Sequence, residues 1–76
     1  MPTIFKKEGY RFFFYSADFL EPKHVHVEYG GGTAKFWLSP LQLVSSYGMK
    51  GHQLKKARIL IMEHVALIEE RWNEFF

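Results

Sequence analysis

Apolar and polar residues alternate with a period of two through the first half of the chain and with a period near 3.6 through its last third. That change of period predicts strands first and helix afterwards. The segment Tyr10-Arg11-Phe12-Phe13-Phe14-Tyr15-Ser16 is the densest strand signal, being built from aromatic residues. Pro2–Lys7 precedes it as an edge strand, with Pro2 at its start, where a missing N–H does no harm. Glu8-Gly9 reads as the turn between them, pairing Lys7 with Tyr10, Lys6 with Arg11, Phe5 with Phe12 and Ile4 with Phe13. Phe5, Tyr10, Phe12 and Phe14 then form a core face. Lys6 lies opposite Arg11, a like-charge pair that needs an anion or a carboxylate nearby.

A second hairpin follows a loop at Ala17–Pro22. His24–Tyr29 and Thr33–Leu38 flank a run of three glycines, and a two-residue turn at Gly31-Gly32 satisfies the positive φ that such turns require. Val25, Val27, Tyr29, Ala34, Phe36 and Leu38 share one face, and His24, His26, Glu28, Lys35 and Trp37 share the other. Beyond Leu38, Ser39 suits a helix N-cap, Pro40 the first helical position and Gln42 a capping box, so a short helix is expected to Tyr47, with Gly48 closing it. From Gly51-His52 onward, Leu54, Ala57, Ile61, Val65, Ile68, Trp72 and Phe75 follow helical spacing, which predicts one helix of roughly 36 Å at 1.5 Å per residue. The expected fold is α+β: a four-stranded antiparallel sheet from two β-hairpins, with a short helix and a long C-terminal helix packed on one face. The single domain spans residues 1–76.

Composition narrows the function classes. Hydrophobic residues make up 47% of the chain and aromatics 18%, enough for a ring-rich core and too many for disorder. The absence of cysteine excludes disulfides and thiolate metal sites. No apolar run is long enough to span a bilayer and no secretory signal is evident, which places the protein in the cytoplasm. The net charge is only +2, so a basic surface requires segregated charge. The long helix supplies some: Lys50, His52, Lys55, Lys56 and Arg58 crowd its start and Glu63, Glu69, Glu70 and Glu74 its end, the reverse of what the helix dipole favours. An anion at the helix start or antiparallel packing of two copies would compensate. Ile59, Leu60, Met62, Ala66 and Leu67 widen the helix's apolar surface beyond one small sheet, which points to a homodimer or a protein partner.

Two constellations carry candidate chemistry. His24, His26 and Glu28 recur at every second residue of one strand. They can serve as metal donors, but His24 and Glu28 stand ~13 Å apart on a flat strand at about 3.3 Å per residue, so one ion cannot take all three without an outside ligand and a bend. His24 and His26 alone could chelate, with His52 or His64 as a distant third, and the favoured reading is surface histidines with no metal. Alternatively, His24 and His26 act as general acid–base groups. The second constellation is the outer sheet face, where Lys6, Arg11, Phe13, Tyr15, Lys35 and Trp37 interleave cations with rings, as sheets that bind single-stranded nucleic acid do. Lys55, Lys56 and Arg58 on the helix extend the candidate nucleic-acid set. The bland reading of that face is a protein interface with Phe13, Tyr15 and Trp37 as anchors. No phosphate-binding glycine loop, nucleophile triad or cofactor motif is present.

Met1-Pro2-Thr3-Ile4, Phe14-Tyr15-Ser16, Glu21-Pro22-Lys23-His24-Val25-His26-Val27 and Ala34-Lys35-Phe36-Trp37-Leu38 resemble the small prokaryotic proteins grouped as domain of unknown function 4160. The resemblance implies a cytoplasmic component of a toxin–antitoxin-like pair with a cognate small protein partner; contact with RNA or DNA rests on the basic-aromatic face. It transfers no catalytic residues; Glu21, Pro22, His24 and His26 are its most specific positions. The readings to be separated are therefore three: a toxin–antitoxin component, ribonuclease-like if it is an enzyme; a non-catalytic homodimeric interaction module; and a histidine-based metal protein.

Overall fold

The computed structural model describes residues 3–76; Pro2 lies outside them. Five strands form one antiparallel meander, β1 (Thr3–Lys7), β2 (Tyr10–Phe13), β3 (His24–Tyr29), β4 (Gly32–Leu38) and β5 (Leu41–Tyr47), each hydrogen-bonded to the next in chain order. A 3₁₀ turn, Ser16–Leu20, occupies the connection expected to be a loop, and two helices, α1 (Gly51–Glu63) and α2 (Val65–Phe75), close the chain. The α+β class stands, with five strands instead of four.

The first hairpin pairs Lys7 with Tyr10, Lys6 with Arg11 and Phe5 with Phe12 as expected. A bulge then places Thr3, not Ile4, opposite Phe13, and Ile4 packs against the core. The second hairpin turns one residue earlier than expected, at Gly30-Gly31 (φ +54° and +84°). Tyr29 faces Gly32, Val27 faces Ala34, Val25 faces Phe36 and His24 faces Trp37. Moving the turn by one residue shifts every pairing by two, and an even shift leaves each side chain on its face. Val25, Val27, Ala34, Phe36 and Leu38 are accordingly buried. The third glycine serves packing instead of the turn: a Cβ on Gly32 would lie 2.5 Å from the Gly48 carbonyl oxygen.

The short helix expected at 39–47 does not exist. Ser39-Pro40, joined by a cis peptide bond, is a two-residue turn between Leu38 and Leu41, and the chain returns along β4 as β5. Helix-start signals at Ser39, Pro40 and Gln42 are local, whereas β4 offers a full row of unpaired N–H and C=O groups that must find partners. Ser45, Ser46 and Tyr47 add nothing in favour of helix.

The single long helix is likewise two. At His64 (φ −121°, ψ 17°) the helical path breaks. Its Nδ1 donates to the Leu60 carbonyl at 2.8 Å, an oxygen that the His64 backbone N–H also reaches at 3.2 Å, and its ring stacks on Phe5 at 4.4 Å. Ala57, Leu60 and Ile61 of α1, with Ile68 and Trp72 of α2, pack on Tyr10, Phe12, Phe14, Val25, Val27, Phe36 and Leu38. Burial of each such side chain is worth about 1.5–3 kcal/mol. Ile59, Met62, Val65 and Phe75 remain exposed, as do Leu43 and Val44 of β5. Among the described residues, the outer face of the sheet is covered by neither α1 nor α2.

Candidate metal centre

Strand parity puts His24 and His26 on the outer side of β3, but their surroundings differ. β2 ends with Phe13 opposite His26, so on that side no strand runs beside His24. There Trp37 from β4, Trp72 from α2 and the His26 ring close around it at centroid distances of 5.6, 5.4 and 5.1 Å. His24 is 0% exposed. His26 is half-buried, stacked on Phe13 and edged by Tyr15, and of the two only His26 reaches the open face.

The antiparallel return from β2 to β3 forces the intervening turn back over the entrance of β3. That turn carries Asp18, buried, whose Oδ2 accepts the Tyr15 backbone N–H at 2.8 Å. From this position Oδ1 lies 3.1 Å from His24 Nε2 and Oδ2 lies 3.2 Å from His26 Nε2. One donor atom from each of Asp18, His24 and His26 falls within 4.8 Å of the others. Glu21 adds a fourth oxygen 3.9 Å from His24 Nε2.

The tautomer of His24 is fixed by its neighbours. Nδ1 donates to the Pro22 carbonyl at 2.8 Å, an oxygen that can only accept. In the neutral imidazole the Nε2 lone pair then faces the Asp18 carboxylate, and this buried nitrogen has no hydrogen-bond partner despite the short approach. Two acceptors in contact call for a positive centre between them, either a proton on Nε2 or a metal ion. A backbone carbonyl on the far ring nitrogen is also how metal-bound histidines are oriented. An ion with bonds of about 2.0–2.1 Å holds its ligand atoms roughly 3.3 Å apart at tetrahedral angles, close to the spacings from Asp18. Two imidazoles and one carboxylate with positions left open suit zinc or non-haem iron.

The protonation pattern favours binding. Burial pushes the Asp18 carboxyl up, but the Tyr15 N–H and both imidazoles outweigh it, and the net shift is downward. Burial lowers the His26 pKa, with Asp18 only partly restoring it. Both shifts make the proton easier to lose, as metal binding requires.

The sequence-derived set is only partly brought together. Glu28, the carboxylate expected beside the histidines, accepts from Arg11 Nε at 3.1 Å, so it relieves the Lys6–Arg11 pair instead. Asp18 takes its place, and its signal was the topology: any carboxylate between two neighbouring antiparallel strands must return to the start of the second. Lys6, Arg11, Phe13, Tyr15, Lys35 and Trp37 do lie on the helix-free side, with Arg11 over the Phe13 ring and Lys35 over Trp37. Lys35 also pairs with Glu21. Lys55, Lys56 and Arg58 sit on α1, in the layer across the sheet, and Lys56 pairs with Glu8 at 3.2 Å. The nine residues are therefore not one surface. His52 is exposed at the start of α1 and His64 is held at the helix break, so neither completes the centre.

No helix among the described residues is long and apolar enough to cross a membrane. No curated protein and no solved structure matches the chain. One family model does, over residues 9–73, and it covers every residue of the Asp18–His24–His26 cluster. The chain belongs to the family described as Domain of unknown function (DUF4160).

Proposed function

We propose that this chain is a metal-dependent hydrolytic domain in which Asp18, His24 and His26 hold one zinc- or iron-class ion and leave a coordination position for water. The observation that carries the reading is the His24 Nε2, buried, oriented by Pro22 and aimed at a carboxylate without a hydrogen bond. Asp18, His24 and His26 would hold the ion, and the chemistry it would supply there is a bound water acidified enough to act as a nucleophile near neutral pH. The test is metal content after equilibration with Zn²⁺ or Fe²⁺ and desalting. One equivalent is expected for the native chain and for His52→Ala, and none for Asp18→Asn or His26→Ala. A native chain without metal, or an Asp18→Asn variant that retains it, refutes the reading.

Hydrolytic action on RNA or DNA, held in check by a cognate small protein, is the form this takes if the toxin–antitoxin resemblance holds. Growth arrest on solitary expression, lost in His26→Ala, would support it; harmless expression would count against it.

A protein partner is favoured by one further observation. β5 is a free sheet edge of seven residues with no charged side chain, and Leu43, Val44 and Tyr47 are exposed on it. Natural edges are protected by lysine, proline or a covering element, and this one suits addition of a strand from the cognate protein or a second copy. Light scattering of the isolated chain separates monomer from homodimer.

A further inference from the structure

The helix-free face is ordered as rows across the sheet. Arg11, Glu28, Thr33 and Tyr47 lie opposite one another in sequence of strands, and beside them run Phe13, His26, Lys35 and Ser45. A cleft of about 270 Å³ lies over these rows, walled by Phe13, Tyr15, His26, Lys35, Ser45 and Tyr47. Tyr47 is 80% exposed, on a strand, facing the same side as Thr33 and Lys35. Among the described residues its ring stacks on nothing. A tyrosine held in water at a fixed point of a sheet is a platform that has yet to meet its ligand. Tyr15, exposed as well, stands at the opposite wall. The two belong to chain segments about three strand spacings apart, roughly 14 Å, with Lys35 on the intervening strand β4, its ammonium over the Trp37 ring.

We propose that the cleft takes single-stranded nucleic acid, laid across the strands with bases on Tyr47 and Tyr15 and a phosphate at Lys35. This deepens the metal reading and rests on it for the chemistry. Rings tolerate any base because every base has a π-face, and a cation between them meets the backbone. Lys35 is engaged by Glu21, but that carboxylate is half exposed, and an ion pair in that setting is weak enough for a phosphate to replace it. Duplex is excluded by the same geometry, since its bases are stacked on one another and cannot be spread over protruding rings. The Glu21 Oε1 that pairs with Lys35 Nζ lies 3.9 Å from His24 Nε2, so a phosphate taking that carboxylate's place on the ammonium would stand beside a ligand of the ion. Hydrolysis there balances simply. The water oxygen forms a new bond to phosphorus, the ester P–O bond breaks, and a water proton ends on the leaving oxygen.

The experiment titrates zinc-loaded protein into a labelled 12-nucleotide oligo-U, with oligo-dT, the matching duplex and free UMP as further arms. Strand binding is expected to fall as salt rises and to weaken about tenfold in Tyr47→Ser, a surface change that circular dichroism should show to be folded, and to weaken again in Lys35→Gln. Duplex should not compete. Absence of strand binding, binding unchanged in both variants, or UMP competing as well as the strand overturns the proposal; so does a doubled mass lost in Tyr47→Ser, which would make the face a homodimer interface. Metal content is measured on the same samples. Bound zinc without strand binding sinks this inference alone, whereas strand binding with no bound metal sinks the hydrolytic reading alone.

Discussion

Substituting alanine in turn for Gly30, Gly31 and Gly32 distinguishes the observed hairpin from the one centred on Gly31-Gly32. At Gly32 the new Cβ would meet the Gly48 carbonyl oxygen at 2.5 Å, its carbon at 2.6 Å and Met49 Cγ at 2.6 Å. Two of those atoms are backbone at the end of β5, so relief requires moving the strand by most of an ångström. Overpacking of this kind costs typically about 1–3 kcal/mol. At Gly30 and Gly31 nothing lies within 4 Å, and only the left-handed backbone is at issue, at roughly 1–2 kcal/mol per residue. A domain of this size has on the order of 4–11 kcal/mol of stability in all, and each kcal/mol lowers Tm by about 4–8 °C. Gly32→Ala should therefore lose about 5–20 °C in a thermal scan followed by circular dichroism. It should also be the one variant that loosens β5, read as faster amide exchange at Ser45, Ser46 and Tyr47. Gly30→Ala should lose a comparable or smaller amount without that local signature. A neutral Gly30→Ala, with equal losses at Gly31 and Gly32 and no effect on β5, would refute the reasoning.

Three further outcomes follow from the centre and the core. Zinc at about a hundred times its dissociation constant should stabilise the native chain by about 2.7 kcal/mol, a Tm gain of roughly 10–20 °C, and should leave Asp18→Asn unmoved; an equal gain in both would place the ion elsewhere. In EDTA, acidification should destabilise the fold in two steps. His26 and Asp18 both have folded pKa values below their ordinary 6.5 and 3.8, so the unfolded chain binds more protons in each window. Stability is complete above about pH 6.5, falls as His26 protonates, and falls again below the carboxylate range; a urea midpoint that rises on acidification would contradict this. Trp72→Ala should cost about 3–5 kcal/mol and should also weaken zinc binding, because the indole packs on both Phe14 and His24; loss of stability with undiminished zinc affinity would break the link.

The faces of the central hairpin were legible because parity survives an even error in register: Val25, Val27 and Phe36 turned inward whichever glycine pair made the turn. The fifth strand was not, because Ser39, Pro40 and Gln42 carry true helix-start chemistry and the competing interest, the open edge of β4, lies in another part of the sheet. The break at His64 was hidden for a similar reason. The apolar spacing from Ala57 to Trp72 runs through it unbroken, and only the Phe5 ring, supplied by the first strand, reveals why the backbone parts there. Of the centre, both histidines stood out by their alternation. Asp18 did not, since its relation to them is set by the return of the chain and not by any spacing along it.

The wall behind His24 has a consequence for how the protein is made. Asp18, His24 and His26 leave the ribosome well before Trp72, which closes the pocket around the buried imidazole. Until it arrives the histidine faces water, with neither its low-polarity surroundings nor its fixed geometry. A chain cut short before Trp72 would carry every ligand and still lack the finished centre, so the activity proposed here would begin only once α2 has been made.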